Sequence, residues 1–105
     1  MKHERTLSIG HDHPTLSGHF PGHPVVPGVV ILDEVVETLR ELYGQGVVAT
    51  GLPSVKLSSP LSPGEPLTII IEQEDEGAAS FICMVETRRV ATGTIHFGLR
   101  VASRE

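Results

Sequence analysis

The chain has no tryptophan, one tyrosine, one cysteine and only 4% aromatic residues among its 105. Without tryptophan and with so few other rings, it lacks the stacking platforms that single-stranded nucleic acid needs. Basic residues are also scarce, with 8 lysines and arginines against 13 acids and a formal charge of −5. A phosphate backbone calls for the opposite balance, so nucleic acid is not the expected partner. A lone cysteine, Cys83, excludes an internal disulfide and any multi-cysteine zinc or iron–sulfur site. It sits in an apolar run and reads as a buried structural thiol. No apolar run approaches the roughly 20 residues that would cross a bilayer, so no membrane span is expected. Met1 to Arg5 are too polar for a secretory signal, which makes a cytoplasmic chain the default expectation.

Apolar residues make up 39% of the chain and charged residues 20%, an ordinary globular mixture. The length suits a single domain spanning 1–105. A chain this short buries a modest share of its surface, and dimerisation would add core. Histidine is over-used: His11, His13, His19 and His23 crowd into thirteen residues.

Thr6 to Ile9 alternates and predicts a short first strand. Gly10 to Gly28 is punctuated by Pro14, Gly18, Pro21, Gly22, Pro24 and Pro27, which exclude regular helix or central strand. This long loop holds Leu16, Phe20, Val25 and Val26, which favour an ordered, packed path. Val29 to Tyr43 predicts a helix stopped by Gly44. At about 100° per residue, Leu32, Val35, Val36, Leu39, Leu42 and Tyr43 fill one arc, with Val29 at its rim. Glu34, Glu37, Thr38 and Glu41 fill the opposite side, and Asp33 falls at the border. Such a border carboxylate is placed to face a cleft or a neighbouring subunit. The unbroken run Val29 to Leu32 predicts a deeply buried first turn.

The remainder is strand-like: Val47 to Leu57, Leu67 to Gln73, Ser80 to Thr87 and Val90 to Val101. The apolar run Phe81 to Val85 suits a central strand, Arg88 and Arg89 mark a bend, and Ile95, Phe97 and Leu99 share one face. Strand, long loop, single helix, then several strands predicts an α+β fold, an antiparallel sheet wrapped around one central helix.

His19 closes a rigid Gly/Pro-rich loop fourteen residues before Asp33, a spacing that can bring an imidazole and a carboxyl together as an acid–base pair. The helix start near Pro27 and Gly28 exposes unpaired backbone N–H groups at a positive dipole end, suited to polarising a carbonyl oxygen. Gly28 lets a ligand approach the backbone closely. A base, an acid and an electrophilic anchor suit proton abstraction beside a carbonyl. Two other readings weigh less: a transition-metal site from His11, His13, His19 and His23, whose spacing matches no zinc pattern, and a basic patch from Lys56, Arg88, Arg89 and Arg100.

The segment His19-Phe20-Pro21-Gly22-His23-Pro24-Val25-Val26-Pro27-Gly28-Val29, followed by Asp33, resembles the active-site segment of the β-hydroxyacyl-acyl-carrier-protein dehydratases of hot-dog fold, the FabA/FabZ type. A second stretch, Val55-Lys56-Leu57-Ser58-Ser59-Pro60-Leu61-Ser62-Pro63-Gly64-Glu65-Pro66-Leu67, resembles that family's KFxxPVxPGDxL stretch. The resemblance implies a hot-dog homodimer, with room for a higher oligomer, and two active sites at its interface. Each would take its histidine from one protomer and its acid from the other. It implies loss of water from a β-hydroxyacyl thioester, carried on acyl-carrier protein or coenzyme A, to give the trans-2-enoyl thioester. His19 would remove the α-proton, Asp33 would assist the departing hydroxyl, and the Gly28 N–H would hold the thioester carbonyl. Phe20, Pro21, Gly22, Pro24 and Pro27 would support the loop, and no metal or organic cofactor is implied. Asp33 stands where the larger subfamily has Glu, and the compact chain is similar to the small stand-alone dehydratases of aryl-polyene pathways. A hot-dog thioesterase and a non-catalytic carrier-binding subunit stay open as alternatives.

Overall fold

The computed structural model describes residues 2–10 and 25–100. Five strands, β1 (Lys2–Leu7), β2 (Val47–Leu57), β3 (Leu67–Asp75), β4 (Ala78–Val85) and β5 (Arg88–Leu99), surround one helix, α1 (Gly28–Tyr43). They form a single sheet in the order β1-β3-β4-β5-β2, with every neighbouring pair antiparallel. This is the predicted α+β architecture, an antiparallel hot-dog sheet around one helix.

The apolar run Phe81–Val85 does occupy the middle strand. Alternation explains its fit: Ala79, Phe81, Cys83 and Val85 point to the helix side and are buried. Leu67, Ile69 and Ile71 of β3 join them, as do Ile95 and Phe97 of β5. Val90 and Ala91 are both buried, although consecutive strand residues should face opposite ways. A bulge makes this possible, because Cys83 pairs with Ala91 while Met84 pairs with Arg89.

The helix ends as expected at Gly44, whose φ of 106° suits glycine and whose N–H donates to the Arg40 carbonyl at 2.8 Å. Its buried arc is Val30, Ile31, Val35, Thr38 and Leu39. Periodicity alone had set Thr38 among the solvated residues and Val29 at a buried turn. Instead Thr38 is fully enclosed and Val29 is 63% exposed. The reason is β1. Arg5 reaches across to α1, pairing with Glu34 at 3.0 Å and Glu41 at 3.1 Å and donating to Thr38 Oγ1 at 3.2 Å. Thr38 in turn donates to the Glu34 carbonyl at 2.7 Å, so its hydroxyl is satisfied where it is buried.

Three further boundaries differ from the sequence reading. The first strand is Lys2–Leu7 rather than Thr6–Ile9, because His3 and Arg5 are polar residues facing the helix and hide the alternation. Arg88 and Arg89 open β5, and the reversal falls on Glu86 and Thr87, with Glu86 at φ 55°. Leu99 follows Ile95 and Phe97 on one face but runs past the core and is 57% exposed. No helix among the described residues is long and apolar enough to cross a membrane.

Candidate active site

Two segments far apart in the chain meet at the start of α1. The first is Val25-Val26-Pro27-Gly28. Pro27 occupies the N-cap with φ −60° and ψ 145° and makes no side-chain cap. Its carbonyl accepts from Val30 N at 3.0 Å and Ile31 N at 3.4 Å. The N–H groups of Gly28 and Val29 have no backbone acceptor among the described residues, as the first turn of any helix requires. No acidic side chain sits in this turn to neutralise it.

The second segment, Ser58–Pro66, joins β2 to β3. Ser58 N donates to the Val90 carbonyl at 2.8 Å, which starts the segment off the end of β5. Ser62-Pro63-Gly64-Glu65 then turns back, with Gly64 at φ 89° and Glu65 N donating to the Ser62 carbonyl at 3.2 Å. Proline followed by a positive-φ glycine is the pattern of a type II turn. Gly64 N donates to the Ile9 carbonyl at 2.8 Å, tying the turn to the chain beyond β1. The Leu61 side chain is fully buried. Its carbonyl accepts from Val26 N at 2.8 Å and stitches the two segments together.

Between them lies a cleft of about 430 Å³, walled by Val26, Pro27, Gly28 and Ile31 on one side and Leu57, Ser58, Ser59, Pro60 and Leu61 on the other. Its surface is mostly apolar, with the helix start exposed at one end. A cleft of this kind suits an acyl group whose carbonyl oxygen meets backbone donors. Gly28 stands close against Leu57 of the opposite wall. A methyl group in place of its hydrogen would lie 3.0 Å from Leu57 Cδ1.

Of the residues singled out from sequence, Gly28 and Pro27 are brought together in this cleft. His19, Phe20, Pro21, Gly22 and Pro24 lie outside the described residues. Asp33 is exposed and does not line the cleft of its own chain. It sits about 140° around the helix from Gly28, on the same outward flank as the exposed Val29. Leu57 and Ser58–Leu61 were recognised as part of a motif but without a role; their role is to form the opposite wall. A second cavity, of about 310 Å³, lies at the other end of α1 beneath Tyr43 and Phe97 and contains none of the predicted site residues.

The family model for the ApeI-like proteins, described as ApeI dehydratase, matches residues 2–94. A 3-hydroxyacyl-[acyl-carrier-protein] dehydratase FabZ of Acetivibrio thermocellus is 32% identical over 97 residues, covering 82% of this chain and 66% of the relative. The chain thus spans about two thirds of that relative's length. FabZ of Thermus thermophilus is 31% identical over 110 residues, covering 91% of this chain and 76% of the relative. Among solved structures, the dehydratase heterocomplex ApeI:P from Xenorhabdus doucetiae superposes with a TM-score of 0.81 at 25% identity, covering 94% of this chain and 88% of that one. An (R)-hydratase from A. caviae shares the fold, with a TM-score of 0.67 at 18% identity and 95% of both chains covered. The match over residues 2–94 takes in both walls of the cleft, and the chain belongs to the ApeI-like family of hot-dog dehydratases.

Proposed function

We propose that this chain dehydrates a β-hydroxyacyl thioester borne on acyl-carrier protein, giving the trans-2-enoyl thioester and water during acyl-chain biosynthesis in the cytoplasm. One observation carries the reading: the two sequence segments that resemble the dehydratase motifs, 19–33 and 55–67, contribute Pro27–Gly28 and Leu57–Leu61 to the same cleft. The carrier is taken from the FabZ relatives, whose names specify acyl-carrier protein.

In this mechanism the thioester carbonyl oxygen accepts a hydrogen bond from Gly28 N–H at the positive end of α1, which draws charge from the α-carbon. The His19 imidazole takes the α-proton. The C–O bond at the β-carbon breaks as Asp33 passes a proton to the departing hydroxyl, and water leaves. The electron pair of the broken C–H bond becomes the new double bond, so no redox partner is needed. The proton on His19 returns to Asp33 by way of solvent before the next turnover.

The outward position of Asp33 supports a site shared between two copies. It lies beside exposed Val29, and β2 ends the sheet with Leu52, Val55 and Leu57 exposed at 43%, 39% and 58%. Apolar residues on a free sheet edge favour pairing with a second copy. A homodimer joined there would offer Asp33 of one protomer to the cleft of its partner.

The test is incubation of purified protein with β-hydroxyacyl thioesters of several chain lengths, scored by mass for loss of water. His19→Ala and Asp33→Asn should each abolish turnover with the dimer intact. Mixing the two inactive proteins should restore part of the activity after subunit exchange. Full activity in either single variant would refute the assigned pair, and free-thiol release without an enoyl product would replace dehydration with thioester hydrolysis.

A further inference from the structure

The function proposed above uses Gly28 as the carbonyl anchor but leaves unexplained why Pro63-Gly64-Glu65, at the end of the second motif, should matter. None of these three residues lines the cleft. Their significance lies in what holds the wall in place.

Ser58–Pro66 has a difficult path. It leaves β2 at one edge of the sheet and enters β3, next to the opposite edge. Such a connection makes no ladder of its own; single backbone bonds pin it at Ser58, Leu61 and Gly64, and side chains must fasten the stretch between them. Arg88, the first residue of β5, does this. Its Nη1 donates to Ser59 Oγ at 2.9 Å and to the Pro60 carbonyl at 2.7 Å, and its Nη2 donates to Glu65 Oε2 at 2.7 Å. The two anchors are themselves held: Ser59 Oγ donates to the Arg89 carbonyl at 2.7 Å, and Glu65 Oε1 accepts from Ser62 N at 2.8 Å. Pro60 and Ser62 are thereby fixed on either side of Leu61. The Leu61 carbonyl in turn holds Val26 N, two residues before Gly28. Pro27 lies between them, and its ring leaves little rotational freedom to absorb a shift.

We infer that Arg88 is a positioning residue of the active site, acting through Pro60, Glu65 and Leu61 to set where the Gly28 amide stands. It holds the wall residues Ser59 and Pro60 without lining the cleft itself. The guanidinium fork is required because its acceptors lie in different directions, and an ammonium at the end of a lysine stem cannot serve them together. The Ser62 N–H, and then Arg88, hold the Glu65 carboxyl below its ordinary value of 4.5, so it stays charged at working pH. A merely stabilising ion pair predicts something different. The Arg88 and Glu65 side chains are 39% and 32% exposed, and such pairs contribute little to stability. They would have no bearing on turnover.

The experiment compares Arg88→Gln, Arg88→Lys and Glu65→Gln with the unaltered full-length chain. It measures kcat and KM on the β-hydroxyacyl thioester turned over fastest, thermal unfolding, and hydrogen exchange in a peptide containing Val26 and Gly28. Arg88→Gln should lower kcat about tenfold, a smaller loss than removing the transition-state donor outright. KM should stay within about twofold and exchange at Val26 should quicken. Glu65→Gln should move kcat and exchange the same way, and Arg88→Lys should recover only part. Unchanged kcat and exchange in Arg88→Gln would overturn the inference, as would a kcat loss that merely follows the unfolded fraction. If the unaltered chain dehydrates no thioester, the functional reading fails. The exchange data alone then decide whether Arg88 holds the helix start.

Discussion

Replacing Gly28 with alanine separates the site from the fold. Among the described residues the positive-φ glycines are Gly44, Gly64 and Gly77; Gly28 is not one of them, so alanine fits its backbone without strain. Alanine at such a site gains about 0.4–1 kcal/mol by restricting the unfolded chain. Against this stands the contact of the new methyl group with Leu57 Cδ1 at 3.0 Å. That atom ends a flexible side chain that is 58% exposed, so it can swing aside at a cost below about 1 kcal/mol. The two effects offset, and stability should stay within about 1 kcal/mol of the parent. Activity should not survive equally well. The methyl group stands beside Leu57, between the two walls, and pushes the carbonyl oxygen away from the Gly28 amide. Loss of one such donor lowers the rate by about 10²–10³, so kcat/KM should fall by about 10². The assay is enoyl thioester formation beside a thermal melt on the same sample. Adding Leu57→Ala to Gly28→Ala should return part of the activity by widening the mouth. Retention of more than half the parental activity at parental stability would refute the placement of the substrate carbonyl at Gly28.

Two further predictions concern the scaffold. Gly93→Ala should destabilise by about 3 kcal/mol, because its methyl would overlap the Ser54 backbone oxygen and lie 2.8 Å from Phe81 Cζ, and backbone cannot move aside cheaply; a melting temperature lowered by roughly 12 °C or more checks this. Burial pushes the Cys83 thiol from 9.0 up to about 12, so its contribution to stability is whole below pH 9.0 and declines as pH rises toward the folded value. Urea midpoints measured across that range should fall in the parent. Alkylation of Cys83 near about pH 8 should proceed only at the rate of unfolding.

Much of this architecture is legible in the sequence where the physics is local. Gly44 ends the helix because a positive φ is needed there, and Phe81–Val85 reads as central because an apolar run suits only a strand covered by neighbours. The motif residues Pro27 and Gly28 were legible as a helix start with exposed amides. What escaped depends on partners distant in the chain. Thr38 looks solvated until Arg5 arrives from β1 to satisfy it. Lys2–Leu7 does not alternate visibly, because its inward residues are polar and reach the helix. Arg88 looks like a charge at a bend, since nothing near it in sequence announces Pro60 or Glu65. The sequence puts Asp33 only at the border of the helix face, where the structure leaves it exposed, and the shared site this suggests awaits the mixing experiment.

The stitch between Leu61 and Val26 also bears on how the protein acquires activity as it folds. Helix α1 and the β3–β4–β5 meander need only neighbours in sequence, whereas the cleft needs Ser58–Pro66 to have crossed the sheet and met the helix start. Contacts that close long loops carry the larger entropic cost. A refolding chain should therefore regain helical signal before any catalytic competence, and enzymatic turnover would report completion of the last crossing.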